Sequence, residues 1–233
     1  MLITENLFGE KIDKVEIAIE TLRMYEPEED YYLAFSGGKD SITIYDLAQK
    51  AGVKFDAHYN ITTVDPPPLM RFIRENYPNV KMDKPEMSMW KLIPKKKMPP
   101  TRLMRYCCEV LKERGGKDRR VITGVRWAES QNRKNRRSVE SCFKNNNKLY
   151  INPILTWEDE EVWEYIKREN IKYPKLYDEG YKRIGCVMCP MAGKNGMLKD
   201  KERFPKMYKA YVKAFDEMIR ERERRKDNSM EKR

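Results

Sequence analysis

The chain has 233 residues, 40% of them hydrophobic and 36% charged, with 48 Lys and Arg against 37 Asp and Glu and a formal net charge of +11. That length suits one sizeable core, so a single domain over residues 1–233 is expected, with a small subdomain at most. No apolar run approaches the ~20 residues of a membrane span, and Met1 to Asn6 lacks the basic flank and apolar stretch of a secretory signal, which speaks against membrane insertion or export and for a cytoplasmic setting.

Apolar residues at Ile12, Val15, Ile17, Ala18, Ile19 and Leu22 predict an amphipathic helix over Ile12 to Met24. A strand follows at about Tyr31 to Phe35 and runs into Ser36-Gly37-Gly38-Lys39-Asp40-Ser41, after which a helix from Asp40 to Lys50 stops at Gly52. Paired glycines allow close backbone approach, and the N–H groups that open the next helix attract an anion. The spacing is not the Walker pattern, which places four residues between its first Gly and a Gly-Lys-Ser/Thr. The segment reads as a site for a polyphosphate or an adenylyl group; an ordinary strand-to-helix turn is the bland alternative. A second strand, Lys54 to Asn60, leads through Asp65 to Pro66-Pro67-Pro68, prolines that end a strand and suit the first turn of a helix over Leu69 to Asn76. Asp65 is placed either to accept hydrogen bonds from a ribose or assist magnesium, or to form the turn before the prolines. His58, the single histidine, reads as a packed strand residue.

Val80 to Met82 is a further candidate strand, and the dense Pro and Lys between Pro85 and Pro100 suggest an exposed connection. A helix is expected over Thr101 to Arg114, ending at Gly115-Gly116, then a strand over Arg120 to Gly124. Arg126, just past that strand, suits paired hydrogen bonds to phosphate or sulfate oxygens, with a surface arginine as the alternative. An extended piece at Leu149 to Ile154 precedes a helix over Glu158 to Asn170, with Trp157 and Trp163 read as core, and a helical C-terminal extension is expected over 191–233. Alternating strands and helices imply an α/β fold with a doubly wound, mainly parallel, Rossmann-like sheet. Its ligands belong at the carboxyl ends of the strands, where the phosphate loop, Thr62 to Asp65 and Gly124-Val125-Arg126 all fall.

Four of the five cysteines form tight pairs, Cys107-Cys108 and Cys186-Val187-Met188-Cys189. In a cytosolic chain such pairs suggest metal ligation or redox chemistry before structural disulfides. Zinc sites more often use two Cys-x-x-Cys knuckles, and four thiolates also suit an iron-sulfur cluster. Cys142 has no partner in the pattern and reads as an incidental thiol. Basic residues bunch at Lys95 to Lys97, Arg119-Arg120, Arg133 to Arg137 and Arg220 to Lys226, which suits either a polyanion such as nucleic acid or the phosphates of a small nucleotide and a solvated face.

The string Ser36-Gly37-Gly38-Lys39-Asp40-Ser41 resembles the PP-loop of the adenine nucleotide alpha-hydrolase-like superfamily, whose members bind ATP or an adenylyl sulfate and react at or beside the α-phosphate. Together with Cys-Cys, a long gap and Cys-x-x-Cys, the chain resembles the phosphoadenosine phosphosulfate reductase family over roughly Tyr32 to Pro190. The resemblance implies nucleotide contacts from Ser36 to Ser41, Gly124 and Arg126, and a 4Fe-4S cluster on Cys107, Cys108, Cys186 and Cys189 beside the nucleotide. It also implies that Lys112 lies between cluster and substrate, and that Lys39, Asp40 and Arg126, together with Mg2+, act on the phosphates. Adenylyl sulfate reductases carry a catalytic cysteine on a C-terminal tail, and no cysteine follows Cys189 here. The expectation is therefore an ATP pyrophosphatase that activates an acceptor, such as a nucleic acid, for sulfur delivered by a donor protein. Two alternatives are a sulfonucleotide reductase using an external thiol or Cys142, and a non-catalytic nucleotide- or nucleic-acid-binding iron-sulfur module.

Overall fold

The residues Tyr31-Tyr32-Leu33-Ala34 make a central strand because they are apolar on both faces: Tyr31 and Leu33 are fully buried and Tyr32 nearly so. A computed structural model describes residues 1–5, 9–142 and 145–230 of the chain. The predicted C-terminal extension is helical up to Met230, and its last residues, 231–233, lie outside the described ones. The chain divides into two compact units, one of Met1–Tyr59, Pro68–Met82 and Gly115–Ile184, the other of Asn60–Pro67, Asp83–Arg114 and Gly185–Arg233.

The first unit opens with a small antiparallel ribbon, β1 (Ile3–Glu5) and β2 (Lys11–Asp13), which leads into α1 (Lys14–Met24). Asp13 ends the ribbon and caps the helix by accepting from the Val15 N–H at 2.8 Å, so the helix begins two residues later than the apolar period suggested. The six-stranded sheet contains β3 (Tyr31–Ala34), β4 (Phe55–Asn60), β5 (Lys81–Asp83), β6 (Arg120–Ile122), β7 (Val139–Cys142) and β8 (Asn145–Ile151), in the spatial order β5-β4-β3-β6-β8-β7. Strand β3 pairs in parallel with β4 and β6, and β6 with β8, while β7 adds an antiparallel edge that the sequence did not announce. The chain leaves β3 for β4 on one side and later returns as β6 on the other. That reversal creates a crevice at the carboxyl ends of β3 and β6, the usual ligand position in open α/β sheets. Helices α2 (Lys39–Ala51), α3 (Pro67–Asn76) and α6 (Asp159–Arg168) complete the unit, with Ile42, Ile44, Leu47, Ile73, Val162 and Ile166 turned into its core.

The second unit is built largely from helices. Its elements α4 (Met89–Lys96), α5 (Tyr106–Leu111), α7 (Gly193–Arg203) and α8 (Pro205–Met230) gather a core of Val64, Met89, Leu92, Ile93, Tyr106, Leu111, Tyr211, Ala214 and Met218. Helix α4 falls where the composition suggested an exposed connection. Met89, Leu92 and Ile93 stand at helical spacing and bury one face despite the flanking lysines, and Trp90 meets Tyr211 edge to face at 5.0 Å. Helix α5 is much shorter than the expected Thr101–Arg114, because Thr101 closes a turn on Met104: its hydroxyl accepts the Met104 N–H at 2.9 Å and its own N–H donates to the Met104 carbonyl.

Candidate active site

The phosphate loop leaves the carboxyl end of β3 and opens α2. Gly37 has a left-handed φ of 71°, and a Cβ there would lie 2.8 Å from Leu69 and Ile73 side-chain carbons, so both conformation and space demand glycine. Gly38 caps α2 with no side-chain hydrogen bond to the helix start, so amides of the first turn have no side-chain acceptor from the cap residue. The Ser36 hydroxyl donates to Ser41 Oγ at 3.1 Å, and the Ser41 hydroxyl donates to the Gly38 carbonyl at 2.9 Å, which braces the turn from within. Gly124, past β6, passes so close that an added Cβ would lie 3.0 Å from Asp40 Cβ and 3.1 Å from its backbone.

Four charged side chains meet over this loop. The Lys39 side chain is only 7% exposed; its Nζ lies 2.9 Å from Asp159 Oδ1 and 3.8 Å from Asp40 Oδ2. Arg126, 1% exposed, donates from Nε to Asp40 Oδ1 and from Nη2 to Asp159 Oδ1, each at 2.7 Å, and from Nη1 to the Trp157 carbonyl at 3.1 Å. Burial works against the charge on Arg126, but Asp40 and Asp159 outweigh it and hold the guanidinium firmly protonated. Partial burial would raise the Asp159 carboxyl; Lys39 and Arg126 overcome this and lower it. Arg126 thus stands at the strand end where the sequence placed it, with its guanidinium engaged by the chain's own acceptors.

Asp159 and Tyr177 escaped the sequence reading. Asp159 is the first residue of α6, where acids are common for helix-dipole reasons alone, so its type carried no signal of a site. The Tyr177 hydroxyl accepts the Lys39 N–H at 2.8 Å, and its ring is held edge to face against Trp163 at 5.0 Å. A pocket of about 620 Å³ is lined by Trp127, Ala128, Ser130, Gln131 and Lys134, which follow Arg126 in sequence, and by Glu158, which precedes Asp159.

Other expected residues resolve simply. His58 stacks on Tyr32 with ring centroids 4.4 Å apart and places Nε2 2.8 Å from Asp56. Cys142 pairs with Asn145, whereas Val139 pairs with Ile151 and Ile151 in turn with Ile122. That register puts Cys142 toward the amino ends of the parallel strands, away from the end that carries the phosphate loop. Arg119, Arg120, Arg133 and Arg136 spend hydrogen bonds on Asp56, the Tyr25 carbonyl, Glu129 and Glu140, so much of the basic clustering serves internal pairing.

In the second unit, Asp65 accepts from the Thr62 N–H at 2.8 Å and the Thr62 hydroxyl at 2.6 Å, the turn-forming arrangement. The Cys186–Cys189 turn is pinned by Val187 N–H to the Val64 carbonyl, by Met188 N–H to buried Asp200 at 2.8 Å, and by the Tyr211 hydroxyl to the Val187 carbonyl at 3.0 Å. Met188 adopts a left-handed φ of 58° to make the turn. Cys186 Sγ lies 3.5 Å from Thr62 Oγ1, and Arg105 Nη2 lies 3.6 Å from Cys108 Sγ. The hydrogen bond from Cys107 favours the Cys108 thiolate and, with Arg105 and Lys112, brings its pKa down to about 5. Burial lowers the Lys112 ammonium, and the negative charge at Cys186, Cys108 and Asp65 more than restores it. The hydrogen bond to Cys108 and burial push the Cys107 thiol up, while burial raises the Cys186 thiol against the opposing charge of Lys112. Among the described residues no group of three or more His, Cys, Asp or Glu side chains is drawn together as metal ligands.

Residues 30–192 match the family model described as phosphoadenosine phosphosulfate reductase domain. The chain belongs to this family. Two relatives in Methanocaldococcus jannaschii are each 30% identical to this reductase-family chain, over 77% and 87% of it, and the chain spans 40% and 52% of their length. An adenosine 5'-phosphosulfate reductase of Staphylococcus epidermidis is 27% identical over 76% of the chain and 81% of that protein. The phosphoadenylyl-sulfate reductase of Candida auris, in a phosphate complex, superposes with a TM-score of 0.55 at 24% identity, covering 72% of this chain and 87% of that one. The FMN adenylyltransferase of Candida glabrata gives 0.54 at 14% identity, over 75% and 63%. These likenesses establish the fold. Among the described residues no helix is long and apolar enough to cross a membrane.

Proposed function

We propose that this chain is an enzyme that binds an adenine nucleotide on Ser36–Ser41 and Gly124 and promotes substitution at the α-phosphorus of ATP. An acceptor oxygen forms the new bond to that phosphorus while the bond to the bridging oxygen breaks and pyrophosphate leaves with the electron pair. The observation that carries this reading is the meeting of Lys39 and Arg126 at the opening of α2: two buried cations and helix-opening amides at a strand-switch crevice. Lys39 neutralises charge growing on the departing phosphates; Arg126 holds Asp40 in place at 2.7 Å, which leaves that carboxylate ready to orient a magnesium ion bound to the phosphates.

Cys107, Cys108, Cys186 and Cys189 suit a 4Fe-4S cluster in donor chemistry, four soft thiols with Arg105 and Lys112 to offset negative charge, although their sulfurs are not gathered as a ligand set. Such a cluster supplies electron transfer or a binding point for sulfur. The acceptor fits a nucleic acid by the exposed Lys95 and Lys96 and the net charge of +11.

Phosphorus NMR of anaerobically purified protein with magnesium-ATP, with and without mixed nucleic acid, tests the proposal. Formation of AMP or an adenylylated product with pyrophosphate is expected, and its loss in Lys39→Ala. The relatives favour one second reading, reduction of adenylyl sulfate by an external thiol. Sulfite release from adenylyl sulfate, with ATP left intact, would establish that reading in its place.

A further inference from the structure

The pocket shared by Trp127 and Glu158 lies one residue outward from the charged network, since Arg126 precedes Trp127 and Asp159 follows Glu158. Arg126 is extended, with φ −131° and ψ 147°, so its guanidinium is buried while the next side chain, Trp127, turns to solvent and is 39% exposed. Trp127 nevertheless has a fixed place. Its backbone N–H donates to the Leu155 carbonyl at 2.8 Å and its indole N–H to the Arg136 carbonyl at 2.9 Å. With the indole donor satisfied inside the chain, the ring offers the pocket an apolar surface. Ser130, Gln131 and Glu158 add groups that can meet the hydrogen-bonding edge of a flat ring. Arg133 and Arg136 are drawn off by Glu129 and Glu140, whereas Lys134, on the pocket wall, makes no ion pair among the described residues. The volume of about 620 Å³ is that of a ligand site, yet every residue of the lining is exposed. A site for a free small molecule encloses most of its ligand; this one leaves the far side of its occupant in water, which suits a ring carried on a longer chain.

We propose that this pocket takes an unpaired base of a single-stranded nucleic acid, stacked on Trp127, with an adjoining phosphate on Lys134. Every base has a face that an aromatic ring can stack on, and single strands are held by such stacking together with cations along the backbone. Ser130 and Gln131 meet the edge of the base, and Glu158 accepts from its amino group where it has one. The inference rests on the reading of the acceptor as a nucleic acid and names where on the chain that acceptor is gripped. Glu158 adjoins the residue that contacts the Lys39 ammonium at 2.9 Å, so a strand gripped here lies beside the loop that holds the phosphates.

Fluorescence anisotropy of the full chain with labelled, mixed-sequence single strands of RNA and, separately, DNA of about twelve nucleotides, over a range of salt, tests this. Trp127→Ala should weaken binding about 5- to 150-fold, the worth of one stacked base, and Trp127→Phe should restore most of it. Lys134→Gln should weaken binding and make the slope of log affinity against log salt shallower by about 0.7, one phosphate contact on a single strand. Strand affinity within about twofold of native in folded Trp127→Ala, the effect of an ordinary surface change, would overturn the site. If Trp127→Ala does not fold, an unchanged salt slope in Lys134→Gln overturns it in its place. A native chain that binds neither strand while it releases pyrophosphate from ATP would overturn the inference and leave the ATP reading intact. A fall in AMP affinity with Trp127→Ala, strand affinity being unchanged, would overturn it by assigning the pocket to the adenine of the nucleotide. Strand binding that depends on Trp127, in a chain that releases no pyrophosphate with or without nucleic acid, would sustain the base site and overturn the ATP reading alone.

Discussion

Replacing Arg126 by methionine tests whether the charged network over the loop holds the first unit together. The substitution keeps an unbranched apolar stem in a site that is 1% exposed and removes hydrogen bonds to Asp40, Asp159 and the Trp157 carbonyl. Stripping one partner from a fully buried ion pair costs roughly 3–5 kcal/mol. Here the abandoned carboxylates are 24% and 52% exposed and regain water, so the cost falls below that range, to about 2–3 kcal/mol. Urea unfolding followed by tryptophan fluorescence should show the midpoint falling accordingly. A double-mutant cycle with Asp40→Asn should return a coupling of at least about 1 kcal/mol, since the two groups are in direct contact. A loss below about 0.5 kcal/mol, the range of an ordinary surface change, would refute the claim that this guanidinium braces the loop.

Gly37→Ala should destabilise the chain by roughly 1–3 kcal/mol and abolish pyrophosphate binding, because the added Cβ meets Leu69 and Ile73 at 2.8 Å in a left-handed backbone; thermal melts and titration check both. Glu161, 5% exposed, gives a pH signature. Burial would raise its carboxyl, but Lys14 at 2.7 Å and the Glu158 N–H lower it beneath the ordinary 4.5, so its stabilisation is present above pH 4.5 and is lost as the pH falls through the folded value. Lys14→Met should flatten that acid limb and cost roughly 1.5–3 kcal/mol at neutral pH, read from urea midpoints across pH. Asp200→Ala removes the acceptor of the Met188 N–H, and anaerobic reconstitution with iron and sulfide should then load markedly less cluster than the native chain, measured by iron and sulfide content.

The sheet was legible because its strands are apolar runs closed by glycine or proline, and β3, β4 and β6 stand within a residue or two of where Tyr31, Lys54 and Arg120 predicted them. The edge strand β7 was not, since Val139-Glu140-Ser141-Cys142 carries too little apolar pattern and exists through its pairing with β8. Composition misled at α4, where lysine and proline density hid Met89, Leu92 and Ile93. Local turn chemistry at Thr101 and Met104 cut α5 short of the helix that its residues favour. Gly124, Arg126 and the loop residues Lys39 and Asp40 do come together in space, as their common place at strand ends suggested, since open α/β sheets bring the carboxyl ends of neighbouring strands to one crevice.

The partners of those residues were invisible for a complementary reason. Asp159 is an acid at a helix start and Tyr177 a tyrosine in an aromatic stretch, both common in their places. What gives them meaning is a long-range meeting with Lys39, across 120 and 138 residues of sequence respectively, the latter separation being that of the hydrogen bond itself. A loop glycine or lysine announces that an anion can bind; the groups that hold that lysine in place lie far along the chain, and only the fold that brings them to it reveals them.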